Sequence, residues 1–344
     1  MALPRFQVLI PTTLSEALSL LAEQAPKGGR VLAGGTDLLV DLKRPIYQHT
    51  LNTLEAGAYE SDASMLSTLS AEEWKGEKVI LERDFKGALI SLHKLSSLKF
   101  IKTNQGGELS IGALTTAREI QRSEIIREKW TALAEGADAL GSPLVRARGT
   151  IGGNICNARP AADLLIPSLA LEAKLKLESL EGSRLVPLDC FCTGPGKTVR
   201  KPAEILTEII FPSMSGACGS AYYKLGQRKA LDISVVGVAV WIKFNNHSSR
   251  VKRSNLNNTK DKIQEVRLSM GAVGPTPLLS PSAVKVLIGR NPTEEILQEA
   301  SEAAARDCRP IDDHRGSAEY RRQMVQTLTL RVLQTALGRA REAK

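Results

Sequence analysis

Two segments, each a short apolar run followed by a glycine pair and a polar residue, constrain this chain more than anything else in it. The first is Leu32, Ala33, Gly34, Gly35, Thr36, Asp37, Leu38; the second, about 115 residues later, is Thr150, Ile151, Gly152, Gly153, Asn154. A glycine pair lets the backbone enter φ > 0 and lets a ligand approach with no Cβ in the way. Successive N–H groups in such a turn form a concave nest that suits a phosphate. One such pair alone reads more readily as an ordinary loop. Two of the same construction read as two turns that can clamp the two phosphates of one pyrophosphate, with Pro160 to Ala170 opening an apolar helix after the second.

The totals narrow the function classes. A chain of 344 residues, 42% hydrophobic and 24% charged, has the composition of a globular protein of two or three domains. No run approaches the ~18–20 apolar residues that span a bilayer, and the N-terminus lacks a long apolar signal region. The expectation is a cytoplasmic protein that is not integral to a membrane. Cys156, Cys190, Cys192, Cys218 and Cys308 form no repeated CxxC pattern, which fits free thiols better than a disulfide framework or an iron–sulfur cradle. His49, His93, His247 and His314 are scattered without metal-ligand spacing, so no metal site is expected. The net charge of +9 invites a nucleic-acid reading, but only 4% of residues are aromatic and no basic run is interleaved with them. Excess positive charge equally favours anionic cofactors or acidic partner subunits. No acid–base pair for a substrate stands out, and no catalytic residue is assigned.

Periodicity orders the rest. Residues 5–10 read as a strand, a helix begins at Ser15 with Ala17, Leu18 and Leu21 on its apolar face, and Arg30–Ala33 reads as a second strand, together a small βαβ unit. Residues 44–87 read as an insertion with a short strand at Val79–Leu81. Ala88–Leu92 and Glu108–Ala113 read as strands, and Thr115 or Thr116 caps a helix. Trp130–Leu140 reads as a helix, Lys174–Glu178 and Val199–Phe211 as strands. From Gly219 the chain becomes β-rich, with strands at Ala221–Leu225, Val235–Ile242 and Val266–Gly271, a turn at Pro275–Pro281, and helices at Glu294–Cys308 and Tyr320–Arg341. Residues 245–265 read as a second insertion. The layers imply a separate C-terminal three-stranded sheet with helices packed on it.

Six segments in order resemble the FAD-binding (medium) subunits of the molybdenum hydroxylases, the group of xanthine dehydrogenase and carbon monoxide dehydrogenase. They are Ala33–Leu38, Leu109–Thr116, Thr150–Asn154, Ala161–Asp163, Tyr222–Lys224 and Asp312–Arg322. The resemblance implies an α+β fold of the vanillyl-alcohol-oxidase (PCMH) type: two α/β FAD-binding subdomains at 1–55 and 88–215, an insertion at 56–87, and a C-terminal α+β domain at 216–344. It implies that Leu32, Ala33, Gly34, Gly35, Thr36, Asp37 and Leu38, with Thr150, Ile151, Gly152, Gly153 and Asn154, cradle the FAD pyrophosphate. Asp163 matches an acidic residue that contacts the cofactor, and Leu206 and Lys224 match positions facing the flavin. Two plainer readings stand beside these: Asp163 as a first-turn carboxylate on a helix dipole, and Lys224 as a solvent-facing strand lysine. The segment Asp312, Asp313, His314, Arg315 is expected to cap and pair around the last helix.

The function implied is electron transfer, from 2Fe-2S clusters through FAD to an external acceptor, with molybdopterin and substrate oxidation in other polypeptides. The implied partners are a small iron–sulfur subunit and a large molybdopterin subunit, assembled as a heterohexamer of two heterotrimers. One relative of this group carries a cysteine-rich cluster insertion after the second glycine pair; here Cys156 runs straight on to Pro160. The alternative is a free-standing FAD-dependent oxidase of the same fold. Such enzymes often link flavin through a histidine beside a glycine motif, and neither glycine pair here has a histidine next to it in the sequence.

Overall fold

The computed structural model describes residues 5–43, 46–47, 80–81, 85, 87–228, 231–245 and 262–343. Most of both expected insertions lies outside these residues. Three sheets succeed one another along the chain, each with helices against it.

The first sheet is built from β1 (Gln7–Leu9), β2 (Arg30–Leu32) and a strand from beyond the insertion, Ala88–Ser91. Between β1 and β2 runs α1 (Leu14–Gln24), and after β2 comes α2 (Leu38–Lys43). Thr13 caps α1 by accepting from Glu16 N at 3.2 Å, and Gly28, at φ 82°, turns the chain out of the short helical turn that follows. A two-residue pair, β3 (Ile46–Tyr47) with β4 (Ile80–Leu81), supplies the strand expected near Val79. The strand Ala88–Ser91, β5, then lies between β1 and β2, parallel to both. All four of its residues are buried, as suits the middle of a parallel sheet, whereas β1 and β2 keep exposed positions suited to its edges. The expected βαβ unit therefore spans a strand from later in the chain. Strand β5, which follows the division expected at residue 88, belongs to the first sheet, and Leu92, Leu95 and Leu98 pack with Ala17, Leu18 and Leu21 of α1.

The second sheet comprises β6 (Ile101–Thr103), β7 (Leu109–Gly112), β8 (Lys174–Ser179), β9 (Gly182–Pro187) and the later strand Ile205–Phe211; its order is β6, β7, the later strand, β8, β9, antiparallel throughout. Between β7 and β8 come α3 (Ala117–Arg122), α4 (Glu124–Lys129), α5 (Thr131–Ala139), α6 (Pro143–Arg148), α7 (Ile151–Asn157) and α8 (Leu165–Ala170). Thr116 and Glu119 close α3 with a reciprocal capping box. A small pair, β10 (Cys192–Gly194) and β11 (Lys197–Thr198), precedes Ile205–Phe211, which is β12. Strand β9 was not expected, because its side chains other than Val186 face solvent and show no apolar alternation.

The third sheet is β13 (Cys218–Leu225), β14 (Val236–Phe244), β15 (Ile263–Gly271) and β16 (Leu278–Leu279), antiparallel in that order. Three strands were expected; the fourth is two residues inside the proline-flanked segment, where the backbone of Leu278 and Leu279 pairs with Met270 and Ser269. Then follow α9 (Pro281–Leu287), α10 (Glu294–Asp307) and α11 (Ala318–Glu342). The segment expected as a turn up to Pro281 instead starts α9, with Ser280 as N-cap and Pro281 at the first helical position. Strand β14 is a nearly continuous apolar run because both faces of the sheet are covered. Val238 and Val240 pack with Val325 and Leu333 of α11, while Ala239 and Tyr222 pack with Ala132 and Ile166 of the second subdomain.

The edge strand β13 is sealed by side chains. Glu135 Oε2 accepts from Tyr222 N at 2.7 Å, and Arg339 donates to Ser220 O at 2.7 Å and to Glu135 Oε1 at 2.6 Å. At the start of α11, Asp313 pairs with Arg315 and with Arg321, whose side chain is 2% exposed and also donates to Ala272 O at 2.7 Å. Burial alone would raise the Asp313 carboxyl; hydrogen bonds and charge from Arg315, with the Arg321 charge, overcome this and hold it at about 2. Asp312 accepts from Ala318 N. The expected capping and pairing role of this segment is what these contacts provide. Among the described residues no helix is long and apolar enough to cross a membrane.

Candidate cofactor site

The first glycine pair is a loop between β2 and α2. Gly35 sits at φ 75°, in the left-handed region. The backbone N–H groups of Gly34, Gly35 and Thr36 find no acceptor among the described residues. Consecutive unengaged donors around a positive φ are a backbone arrangement suited to an anion such as a pyrophosphate, so this loop fits the group expected of it.

The second glycine pair is not a turn. Ile151–Asn157 is helical, with Thr150 as N-cap accepting from Gly153 N at 3.1 Å. The remaining N–H groups of the first turn are engaged too: Ile151 N with Thr115 O at 3.0 Å, Gly152 N with Ala113 O at 2.9 Å, Asn154 N with Thr150 O at 3.0 Å. The glycines answer to packing. A Cβ on Gly152 would lie 2.7 Å from both the Cβ and the carbonyl oxygen of Ala113, so only glycine lets α7 sit this close to the end of β7. Gly153 is partly exposed, and a Cβ there would meet only Thr150 Oγ1, at 2.9 Å.

The two segments, remote in sequence, touch through backbone. A Cβ on Gly34 would lie 2.1 Å from Arg148 O and 3.1 Å from Gly149 Cα, and one on Gly149 would lie 3.6 Å from Thr36 Oγ1. Arg159, just past α7, reaches back to Asp41 of α2 at 3.4 Å. The loop therefore lies against the segment that leads into α7.

Asp163 and Lys224 form a largely buried ion pair that joins β13 to the segment after α7. Asn154 accepts from Leu164 N at 3.1 Å, tying α7 to the residue after Asp163. Lys224 Nζ donates to Asp163 Oδ2 at 2.8 Å and to Ala139 O at 3.0 Å, with side-chain exposures of 10% and 9% for the lysine and aspartate. The reading of Lys224 as a solvent-facing lysine is therefore excluded. Asp163 Oδ1 accepts from Tyr222 Oη at 3.0 Å and from Ser234 Oγ at 3.1 Å. Burial pushes the Asp163 carboxyl up, against the Lys224 charge and the hydrogen bonds from Lys224, Tyr222 and Ser234. Burial also drives the Tyr222 phenol well above its ordinary value, and the Asp163 charge adds to this.

Leu206 is apart from these groups. It is 5% exposed on β12 and packs in the second core with Ile151 and Ile155. Its neighbour Thr207 accepts from Ala113 N at 2.9 Å, so Leu206 borders the strand end that supports Gly152. Two participants escaped the sequence reading. Tyr222 was signalled only by its place beside Lys224, and Ser234 by nothing, since a single serine before an apolar strand looks like any loop residue. The sheet also brings His93 near the first loop: it lies two residues past Ser91, which pairs with Leu32, and its Nδ1 is 3.0 Å from Ser91 Oγ.

Comparison with known proteins shows the family. Residues 74–214 match the family described as the FAD binding domain in molybdopterin dehydrogenase, and residues 221–336 match the CO dehydrogenase flavoprotein C-terminal domain. The carbon monoxide dehydrogenase medium chain of Hydrogenophaga pseudoflava is 30% identical over 336 residues, 98% of each chain. The xanthine dehydrogenase FAD-binding subunit of Escherichia coli is 29% identical over 331 residues, 95% of this chain and 94% of that one. A solved structure of the H. pseudoflava carbon monoxide dehydrogenase superposes with a TM-score of 0.78 at 29% identity, over 98% of this chain and 99% of that chain. Quinoline 2-oxidoreductase from Pseudomonas putida 86, at 22% identity and TM-score 0.77 over 99% of this chain and 100% of that one, shares the fold. With both matches adjoining along the chain and a 30% identical medium chain aligned over 98% of it, the chain belongs to the family of FAD-binding medium subunits of the molybdopterin dehydrogenases.

Proposed function

We propose that this chain is the electron-transfer subunit of a cytoplasmic, multi-subunit molybdenum hydroxylase, working with a small 2Fe-2S subunit and a large molybdopterin subunit in a heterohexamer of two heterotrimers. The observation that carries the proposal is the unengaged donor loop Gly34–Thr36 packed, backbone to backbone, against the segment leading into α7. When bound there, FAD supplies the exchange between single-electron and hydride transfer. The chain's own residues bind and orient. Leu32–Leu38 donates backbone N–H groups to the pyrophosphate. Thr150–Asn154 walls the site, with Gly153 leaving room where a side chain would intrude. Lys224, fixed by Asp163, provides a cation, and a nearby cation stabilises developing negative charge. Leu206, for which the resemblance implies a place facing the flavin, supports that wall from the core through Ile151 and Ile155.

The test is expression of the chain alone and together with its neighbouring genes. The isolated chain is expected to bind one FAD, released on acid precipitation, and to oxidise no purine, aldehyde or N-heterocycle. The co-expressed complex is expected to contain Mo, Fe and FAD. Organic substrate turnover by the isolated chain at about 1 s⁻¹ or more, or flavin that stays with the acid-precipitated protein, would replace this reading with the free-standing oxidase. A chain that takes up no FAD on titration would remove both.

A further inference from the structure

We infer that Ser234 and Tyr222 are positioning residues: their hydroxyls hold Asp163 Oδ1 so that Oδ2 fixes Lys224, and this four-residue unit, not a free lysine, sets the charge presented to the flavin. The inference rests on the FAD reading above and deepens it.

Counting lone pairs carries the argument. A carboxylate oxygen accepts about two hydrogen bonds. Both positions on Asp163 Oδ1 are filled, by Tyr222 Oη at 3.0 Å and Ser234 Oγ at 3.1 Å, while Oδ2 takes Lys224 Nζ at 2.8 Å. Asp163 therefore acts through Lys224; most of its capacity is committed inside the protein. Lys224 has three N–H donors. One goes to Asp163 and one to Ala139 O at the end of α5, and the third has no partner among the described residues. Two bonds to two different elements stop the ammonium from swinging, and the third N–H is left for a ligand. The four groups come from three places in the chain: Asp163 before α8, Tyr222 and Lys224 from β13, Ser234 from the loop before β14. Ser234 is fully buried and Tyr222 is 5% exposed, so water does not substitute for either hydroxyl.

The charge follows from the hydroxyls. Burial already favours the neutral acid at Asp163. Loss of either hydroxyl donor weakens what holds the carboxylate ionised. An Asp163 that takes up a proton no longer neutralises Lys224, and the site gains uncompensated positive charge. Positive charge favours the electron-rich cofactor, so the midpoint potential moves in the positive direction.

The experiment uses the full chain reconstituted with FAD and compares Ser234→Ala, Tyr222→Phe and Asp163→Asn with wild type by dye-coupled redox titration. FAD content, FAD affinity and thermal midpoint are measured alongside. Asp163→Asn mimics the neutral acid and should give the largest positive shift, with the two hydroxyl deletions shifting in the same direction by less. Ser269→Ala is the control: Ser269 is equally buried and its hydroxyl donates to Ile166 O at 2.7 Å, away from Asp163. It should lose stability without moving the potential. Two hydroxyl variants at separate positions keep the test open if one misfolds, and a variant that keeps wild-type stability but loses FAD also supports the proposal. Unmoved potentials in Ser234→Ala and Tyr222→Phe, with FAD bound and stability lowered as in the control, overturn it and leave the FAD reading standing. Wild-type protein that binds no FAD removes the FAD reading first.

Discussion

Gly34→Ala tests most directly how the two glycine segments meet. The added Cβ would lie 2.1 Å from the Arg148 carbonyl oxygen and 2.8 Å from its carbonyl carbon. These are backbone atoms, and the next residue is pinned on both sides: Gly149 N donates to Val145 O at 2.6 Å and Gly149 O accepts from Ala117 N at 2.9 Å. No rotamer relieves the overlap, so the loop or the end of α6 must retreat by about 1 Å to reach ordinary contact. Overpacking of this kind costs about 1–3 kcal/mol. The same displacement moves the donors of Gly35 and Thr36, and a loss of about 1.4 kcal/mol in binding is tenfold in Kd. The expected result is a lower thermal midpoint together with FAD affinity weakened about tenfold or more, read by melting and by fluorescence titration of the apo chain. Gly153→Ala is the comparison. Its Cβ meets only Thr150 Oγ1, and alanine is worth about 0.5–1 kcal/mol over glycine within a helix, so stability should stay near wild type while FAD affinity falls. Wild-type stability and wild-type affinity in Gly34→Ala would show that the backbone contact is not made and would refute the reasoning.

Two further outcomes follow from buried charge. Asp313 sits at about 2 in the folded chain against an ordinary 3.8, so its ionised form is favoured by folding. That contribution, about 2 kcal/mol, is present above pH ~4 and lost as pH falls toward 2; urea melts across that range should show it, and Asp313→Asn should flatten that acid dependence. Lys224→Met leaves Asp163 buried without its cation, a change that costs about 3–5 kcal/mol when the carboxylate is ionised. Because the folded Asp163 carboxyl lies above its ordinary value, the stability it contributes is present at low pH and lost as pH rises through that value. The variant should therefore be closer to wild type near pH 4 than near pH 8, and equal deficits at both would argue against an ionised Asp163.

Local signals made much of this fold legible. Thr13, Thr116 and Thr293 each sit before an apolar-periodic run and each caps the helix that follows. The run that became β14 is too apolar to face water, and it lies inside a sheet covered on two sides. What escaped depended on distance in sequence. The alternation of β1 and β2 carries no sign that β5, from beyond a long insertion, will separate them. Strand β9 has one buried side chain and is held by backbone pairing to β8, which leaves no trace in composition. Ser234 matters because the fold carries it to Asp163, 71 residues away in the chain.

The glycine pairs show the limit most clearly, because the same dipeptide meets two different needs. At Gly35 the need is conformational: φ is 75°, and the N–H groups of Gly34, Gly35 and Thr36 have no acceptor among the described residues. At Gly152 the backbone is helical and the N–H is bonded to Ala113 O; the need is steric, set by a strand end some forty residues earlier in the chain. Sequence cannot separate these, since both require only the missing Cβ. The difference matters for function. A pyrophosphate held by two equivalent turns would draw donors from both, and either pair could be weakened by blocking N–H groups alone. On the proposed reading the donors lie on one segment, because the first-turn N–H groups of α7 are already engaged, and the other segment gives shape by standing against it. Substitutions at Gly152 should thus disturb the packing of α7 on β7 before they disturb any ligand, and loss of flavin there would be secondary to loss of fold. Gly153, partly exposed on the same helix and with little around its missing Cβ, is the position of the second pair from which the cofactor itself can be probed.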